Sequence, residues 1–168
     1  MTSDTIDQLP FFAGLSSEQS SMLKQLFLPV DCYSDSMLFD QGDPAEYLYL
    51  VVTGEVVIRF KPEDGALIPI AHVRSGGIVG WSAALGRGCY TSAAFCEGYT
   101  QMLRLAGREL RDVCERDPET GILVLERLAA VIAERLSNTH EQVMALLKQS
   151  LLPSMNDMEE ATHGRSSI

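Results

Sequence analysis

Hydrophobic and polar positions along the 168-residue chain fall into three textures. Residues 9–27 read as short and helical. Leu9-Pro10-Phe11-Phe12 is an apolar lead-in, Ser16-Ser17-Glu18 offers caps, and Met22, Leu23 and Leu26 share one helical face. Between residues 29 and 105, short β-rich runs alternate with glycine-bearing turns. The clearest predicted strands are 47–52, 55–60, 67–73 and 101–105. They are separated by Gly42-Asp43-Pro44, Thr53-Gly54, Pro62-Glu63-Asp64-Gly65 and Ser75-Gly76-Gly77. Many short strands broken by turns predict an antiparallel sandwich or barrel rather than βαβ units.

After Ala106 the chain turns helical again. Residues 108–116 form a short helix, and Asp117-Pro118 opens a long one, with proline suited to a first turn. Ile122, Leu125, Ala129, Ile132, Leu136, Thr139, Val143 and Leu146 recur in alternating steps of three and four, a heptad seam. Leu128, Val131 and Leu147 lie off that seam, which leaves a second face to pack on the β body. The seam predicts a homodimer, in its simplest form a parallel helix pair; an intramolecular core stripe is the alternative. Residues 150–168 are polar, carry Pro153 and Gly164, and read as a flexible tail. The expected organisation is an N-terminal tail (1–8), a β body with its leading helix (9–115), a long dimerisation helix (116–149) and the tail (150–168).

Charge narrows the function classes. Thirteen Lys and Arg against twenty-three Asp and Glu give a formal net charge of −10. Such a chain lacks the electrostatic footprint for direct nucleic-acid or anionic-membrane binding. No apolar run reaches the length of a membrane span, and Met1-Thr2-Ser3-Asp4-Thr5 lacks the basic start of a secretory signal. Cys32, Cys89, Cys96 and Cys114 show no CxxC or metal-like spacing, so reduced thiols and a cytoplasmic location are expected.

The most informative stretch runs from Phe39-Asp40-Gln41-Gly42 through Tyr47-Leu48-Tyr49-Leu50-Val51-Val52 to Thr53-Gly54-Glu55-Val56. Gly76-Gly77-Ile78-Val79-Gly80 follows, and then a short helical Trp81-Ser82-Ala83-Ala84-Leu85. Gly42, Gly54 and Gly80 fall where positive φ or close backbone approach is expected. In order and spacing this resembles the cyclic nucleotide-binding domain of the Crp/Fnr-like (catabolite activator) superfamily, over roughly residues 9–147. The resemblance implies a mainly β fold with flanking helices: a double-stranded β-helix (jelly roll) with a small-ligand pocket, plus a long C-terminal dimerisation helix.

It also implies a phosphate-binding cassette. In the family a glycine and a short helix N-terminus aim amides at a cyclic phosphate, an arginine pairs with it, and a glutamate takes the ribose hydroxyl. Here the glycine matches Gly80. Trp81 stands at the glutamate position and Tyr90 at the arginine position, within Gly88-Cys89-Tyr90-Thr91-Ser92-Ala93. Two missing charge-assisted bonds, each on the order of 1.5–3 kcal/mol, would weaken cyclic nucleotide binding by roughly two to four decades. The implied ligand-binding set is Gly80, Trp81, Ser82, Ala83, Arg87, Tyr90, Thr91 and Ser92.

Three readings follow. The first is a dimeric sensor of an unknown small molecule other than cAMP, signalling through a protein partner. The second is a ligand-free dimeric scaffold in which Trp81 fills the pocket. The third is a residual cyclic nucleotide binder using Arg87. No cofactor and no catalysis are expected, since His72, His140 and His163 have no HxxxH spacing or nucleophile partner. His72 as a haem ligand weighs less than an ordinary strand histidine, and Cys89 as a redox thiol less than an inert one. Too few residues follow Leu146 for a winged helix-turn-helix, which takes roughly 60.

Overall fold

The computed structural model describes residues 6–151 except Asp64; the side chains of 138–140, 142–143 and 145–151 lie outside the description. A 3-10 turn at Pro10–Phe12 precedes helix α1 (Ser17–Leu26). Strands β1 (Leu28–Cys32), β2 (Met37–Phe39), β3 (Tyr47–Phe60), β4 (Ile68–Arg74), β5 (Ile78–Val79) and β6 (Ala93–Ala106) follow, then helices α2 (Gly107–Arg116) and α3 (Pro118–Leu151). The chain divides into two compact units at Val131.

The antiparallel ladder is ordered β1-β6-β3-β4, with β2 on β6 and β5 on β3. The two predicted strands around Gly54 are one strand of 14 residues, β3. Gly54 has a φ of +86°, and the β3–β6 register shifts around it, so the chain passes through a bulge without leaving the ladder. The halves of β3 then serve different neighbours: Tyr49 and Leu50 pair with β5, and 55–60 pair with β4. The predicted strand at 101–105 is likewise the end of the 14-residue β6, which starts beside the cassette at Ala93.

Two apolar clusters hold the first unit together. Inside the roll, Phe39, Tyr49, Val51, Val56, Val73, Val79, Tyr90 and Met102 are buried together. On the helical side, Leu48, Leu50, Leu103 and Leu105 meet Leu23 of α1, Leu110 of α2, and Val124 and Leu128 of α3. Each fully buried aliphatic side chain contributes about 1.5–3 kcal/mol before the entropy of ordering is subtracted. Phe11, Phe12 and Phe27 close this cluster with edge-to-face contacts at 5.2–5.7 Å. The starts of α1 and α3 are capped by side chains. Ser16 Oγ accepts from Gln19 N–H while Gln19 Oε1 accepts from Ser16 N–H. Asp117 accepts from both the N–H and the hydroxyl of Thr120. Arg127 of α3 donates to the carbonyls of Pro10, Phe11 and Ala13, which fastens the 3-10 turn at Pro10–Phe12 to α3.

Along α3 burial varies with helical position. Thr120, Val124 and Leu128 are buried and Val131 is partly so, whereas Ile122, Leu125 and Leu136 are 58%, 43% and 71% exposed. Ala129 is exposed and Ile132 half-buried; Thr139, Val143, Leu146 and Leu147 lie outside the described side chains. One expectation is corrected: Cys32 and Cys96 are not free thiols. They form a disulfide, with Cα atoms 6.3 Å apart, because β1 and β6 bring both side chains into the roll interior. Cys89 and Cys114 are free. No described helix is long and apolar enough to cross a membrane.

Candidate functional site

Gly80 opens the cassette with a φ of +76°, and a Cβ there would lie 2.7 Å from the Tyr47 carbonyl oxygen and 3.3 Å from the Tyr90 ring. Only glycine suits that position. The short helix expected at 81–85 is instead a series of turns. Ala83 N–H donates to the Gly80 carbonyl, Leu85 N–H to Trp81 and Arg87 N–H to Ser82, at 2.9–3.1 Å. The far side of the cassette is laced to the Gly42 turn. Gly42 N–H donates to the Tyr90 carbonyl at 2.9 Å, Tyr90 N–H to Asp43 at 3.0 Å, and Ala45 N–H to Gly88 at 3.2 Å.

Tyr90 is the centre of the site. Its ring stacks on Phe39, centroids 3.7 Å apart and planes 14° from parallel, and it is 4% exposed. Its hydroxyl donates to the Tyr47 carbonyl at 2.7 Å and accepts from Tyr47 N–H at 3.0 Å. Burial pushes this phenol up to about 12. Tyr90 is thus neutral, and its hydroxyl is engaged by backbone rather than offered to a ligand. The Tyr90 ring lies beside Gly80, and Trp81, which the scaffold reading places in the pocket, is half-buried.

The rest of the predicted set is spread by exposure. Ser82 and Ala83 are buried, Ser92 is half-buried, and Thr91 and Arg87 are exposed. Arg87 is the only cation among residues 80–92, and it does not turn inward. Phe39 and Tyr47 are the partners that sequence reasoning missed. They lie far from Tyr90 in the chain, and no periodicity links them to it.

The cassette is tied to the helices. Arg111 of α2 donates to the Ala83 carbonyl at 2.9 Å, and Gly107 N–H donates to Glu46 at 2.9 Å. Gly107 packs so closely on Ala83 that any Cβ there would collide with the Ala83 carbonyl. A cavity of about 240 Å³ lies between the start of β3 and α2, lined by Ala45, Glu46, Tyr47, Ala106, Arg108 and Arg111. His72 is exposed, and its Nδ1 lies 2.7 Å from Glu55 Oε1 on the outer face of the sheet.

Comparison with known proteins supports the fold. The family described as "Cyclic nucleotide-binding domain" matches residues 30–117. The chain is 27% identical over 139 residues to the cAMP-activated global transcriptional regulator CRP of Escherichia coli, covering 77% of this chain and 64% of that protein. It thus spans just under two thirds of that relative. Among solved structures, the Catabolite Activator Protein of Thermus thermophilus is 27% identical with a TM-score of 0.67, over 82% of this chain and 62% of that one. A cyclic nucleotide-binding domain from Methylobacillus flagellatus has a TM-score of 0.75 at 22% identity, over 90% and 83% of the two chains, a likeness of fold. With a jelly roll and this family match, the chain belongs to the cyclic nucleotide-binding domain family, with homology to the Crp/Fnr regulators.

Proposed function

We propose that this chain is a non-enzymatic, dimeric regulatory domain that answers to a small ligand other than cAMP and signals through a protein partner. The observation that carries this reading is Tyr90. A cyclic phosphate beside Gly80 needs a cation, and the arginine position holds a neutral ring stacked on Phe39 with its hydroxyl already engaged. The relative named for cAMP activation therefore lends its fold to this reading but not its ligand chemistry.

The Ala83–Gly107 contact and the Arg111 bond support a signalling route, because a shift of the cassette must move α2 or break that tie. The cavity beside them, with two guanidiniums and one carboxylate, supports a small polar ligand acting on that link. The exposed Ile122, Leu125 and Leu136 support dimerisation through α3. A ligand-free scaffold is the second reading, favoured by the Phe39–Tyr90 stack.

The test is titration of the purified chain with cAMP and cGMP, followed by Trp81 fluorescence and calorimetry. No saturation at millimolar nucleotide is expected. Micromolar binding abolished by Arg87→Ala would overturn the reading in favour of residual cyclic nucleotide binding. A screen of metabolite anions by hydrogen exchange then separates sensor from scaffold. Ligand-dependent protection at the Ala83 and Gly107 amides marks the sensor, and unchanged exchange marks the scaffold.

A further inference from the structure

On the outer face of the sheet, far from any use in the cassette, Glu55, His72 and Glu97 come from three neighbouring strands, β3, β4 and β6. Their sequence neighbours Val56, Val73 and Cys96 face the core, so strand alternation turns these three outward together. Glu55 stands directly across the ladder from Glu97, and Val57 across from His72. Two carboxylates directly opposite in an antiparallel pair repel and destabilise it. His72 meets both of them: Nδ1 is 2.7 Å from Glu55 Oε1 and 3.6 Å from Glu97 Oε2. One donor atom from each residue lies within 4.8 Å of the other two.

We propose that Glu55, His72 and Glu97 form a three-ligand site for a divalent transition-metal ion of the zinc type. The donor set is one imidazole nitrogen and two carboxylate oxygens, which suits zinc and its first-row neighbours better than magnesium or calcium. Bonds of about 2.0–2.2 Å at tetrahedral angles place ligand atoms roughly 3.3 Å apart. The two separations from His72 Nδ1, 2.7 and 3.6 Å, bracket that value, and the exposed Glu97 closes the third by rotating. Water completes the shell at this open surface.

Arg74 supplies the outer support such a site needs. It lies across from Glu55, and its Nε donates to Oε2 at 3.2 Å, leaving Oε1, the oxygen turned toward His72, for the metal. The Arg74 charge partly offsets the two carboxylates. Bound metal would stitch β4 and β6 to β3 across the bulge.

The test uses the full, untagged chain stripped of metal, titrated with zinc against a chromophoric chelator and followed by thermal unfolding with zinc or magnesium. One saturable zinc per chain is expected, with a Tm that rises with zinc and not with magnesium. His72→Ala and Glu97→Gln should each weaken zinc at least tenfold while leaving the metal-free Tm near that of the parent chain. Arg74→Gln should weaken it about tenfold or more, as loss of an outer-shell partner does. Cobalt(II) distinguishes the donors, since binding at Cys89 or Cys114 gives an intense thiolate band and binding here does not. No saturable zinc, zinc uptake indifferent to His72→Ala and Glu97→Gln, or a thiolate band in the cobalt form would each overturn the proposal.

Discussion

The ring of Tyr90 lies against Phe39 while its hydroxyl closes on both the N–H and the carbonyl of Tyr47. One side chain thereby joins the cassette to β2 and β3. Tyr90→Phe keeps the stack and leaves the Tyr47 backbone groups unpaired, at an expected cost of about 1–3 kcal/mol. Tyr90→Ala also opens a cavity and should cost about 3–5 kcal/mol, by analogy with large aromatic truncations. Urea unfolding of the two variants measures both, and equal losses would count against the hydroxyl's role.

The same hydroxyl sets an alkaline limit. A tyrosine in the unfolded chain ionises near pH 10, whereas burial pushes Tyr90 up to about 12. Above pH 10 the unfolded chain releases a proton that the folded chain keeps. The Tyr90 contribution is therefore complete below pH 10 and is lost as pH rises toward 12. Thermal unfolding of the parent chain and Tyr90→Phe should show the parent's advantage shrinking across that window; a constant gap would refute it.

Gly107→Ala tests the tie between cassette and α2. The new methyl collides with the Ala83 carbonyl, and overpacking of this kind costs about 1–3 kcal/mol. Hydrogen exchange at the Leu85 and Arg87 amides should accelerate in this variant and in Arg111→Met, which removes the bond to Ala83. Exchange confined to α2 would show that the two elements are not coupled.

The two faces of α3 should respond differently. Leu125→Asp combined with Leu136→Asp is expected to halve the mass seen in sedimentation while leaving the fold intact, since both side chains are exposed. Leu128→Ala, a fully buried change, should instead cost about 2–5 kcal/mol and leave assembly unaltered.

The disulfide closes a long loop, as Cys32 and Cys96 are separated by 64 residues. Constraint of the unfolded chain on that scale contributes about 4 kcal/mol. Peptide mapping without reductant should recover the linked pair, and Cys32→Ser should lower stability by roughly that amount in the loop-entropy account. An unlinked pair in oxidised protein would remove the basis for the expectation.

What was legible in the sequence was local or periodic. Ser16 caps α1, Leu128 and Val131 face the body, and Gly80 opens the cassette, because a cap, a helical repeat or a glycine turn is written within a few positions. The relationships that define the site are not local. Phe39 and Tyr90 meet only once β2 and β6 have paired, and Cys32 meets Cys96 through the same closure. Gly54 reads as a strand break because glycine usually ends a run. The ladder resumes beyond it, where Thr100 Oγ1 donates to the Glu55 carbonyl and accepts from Glu55 N–H.

The Arg127 clamp has a consequence for the order of events on the ribosome. Its bonds to Pro10, Phe11 and Ala13 span 114–117 residues. Residues 10–13 wait for a guanidinium made more than a hundred residues later. Until α3 arrives, Phe11 and Phe12 lack part of their cover, so a nascent roll carries an adhesive aromatic patch. Closure of that long contact is slow for the same reason that any high-separation contact is, and a chain arrested before Arg127 is the species most prone to aggregate.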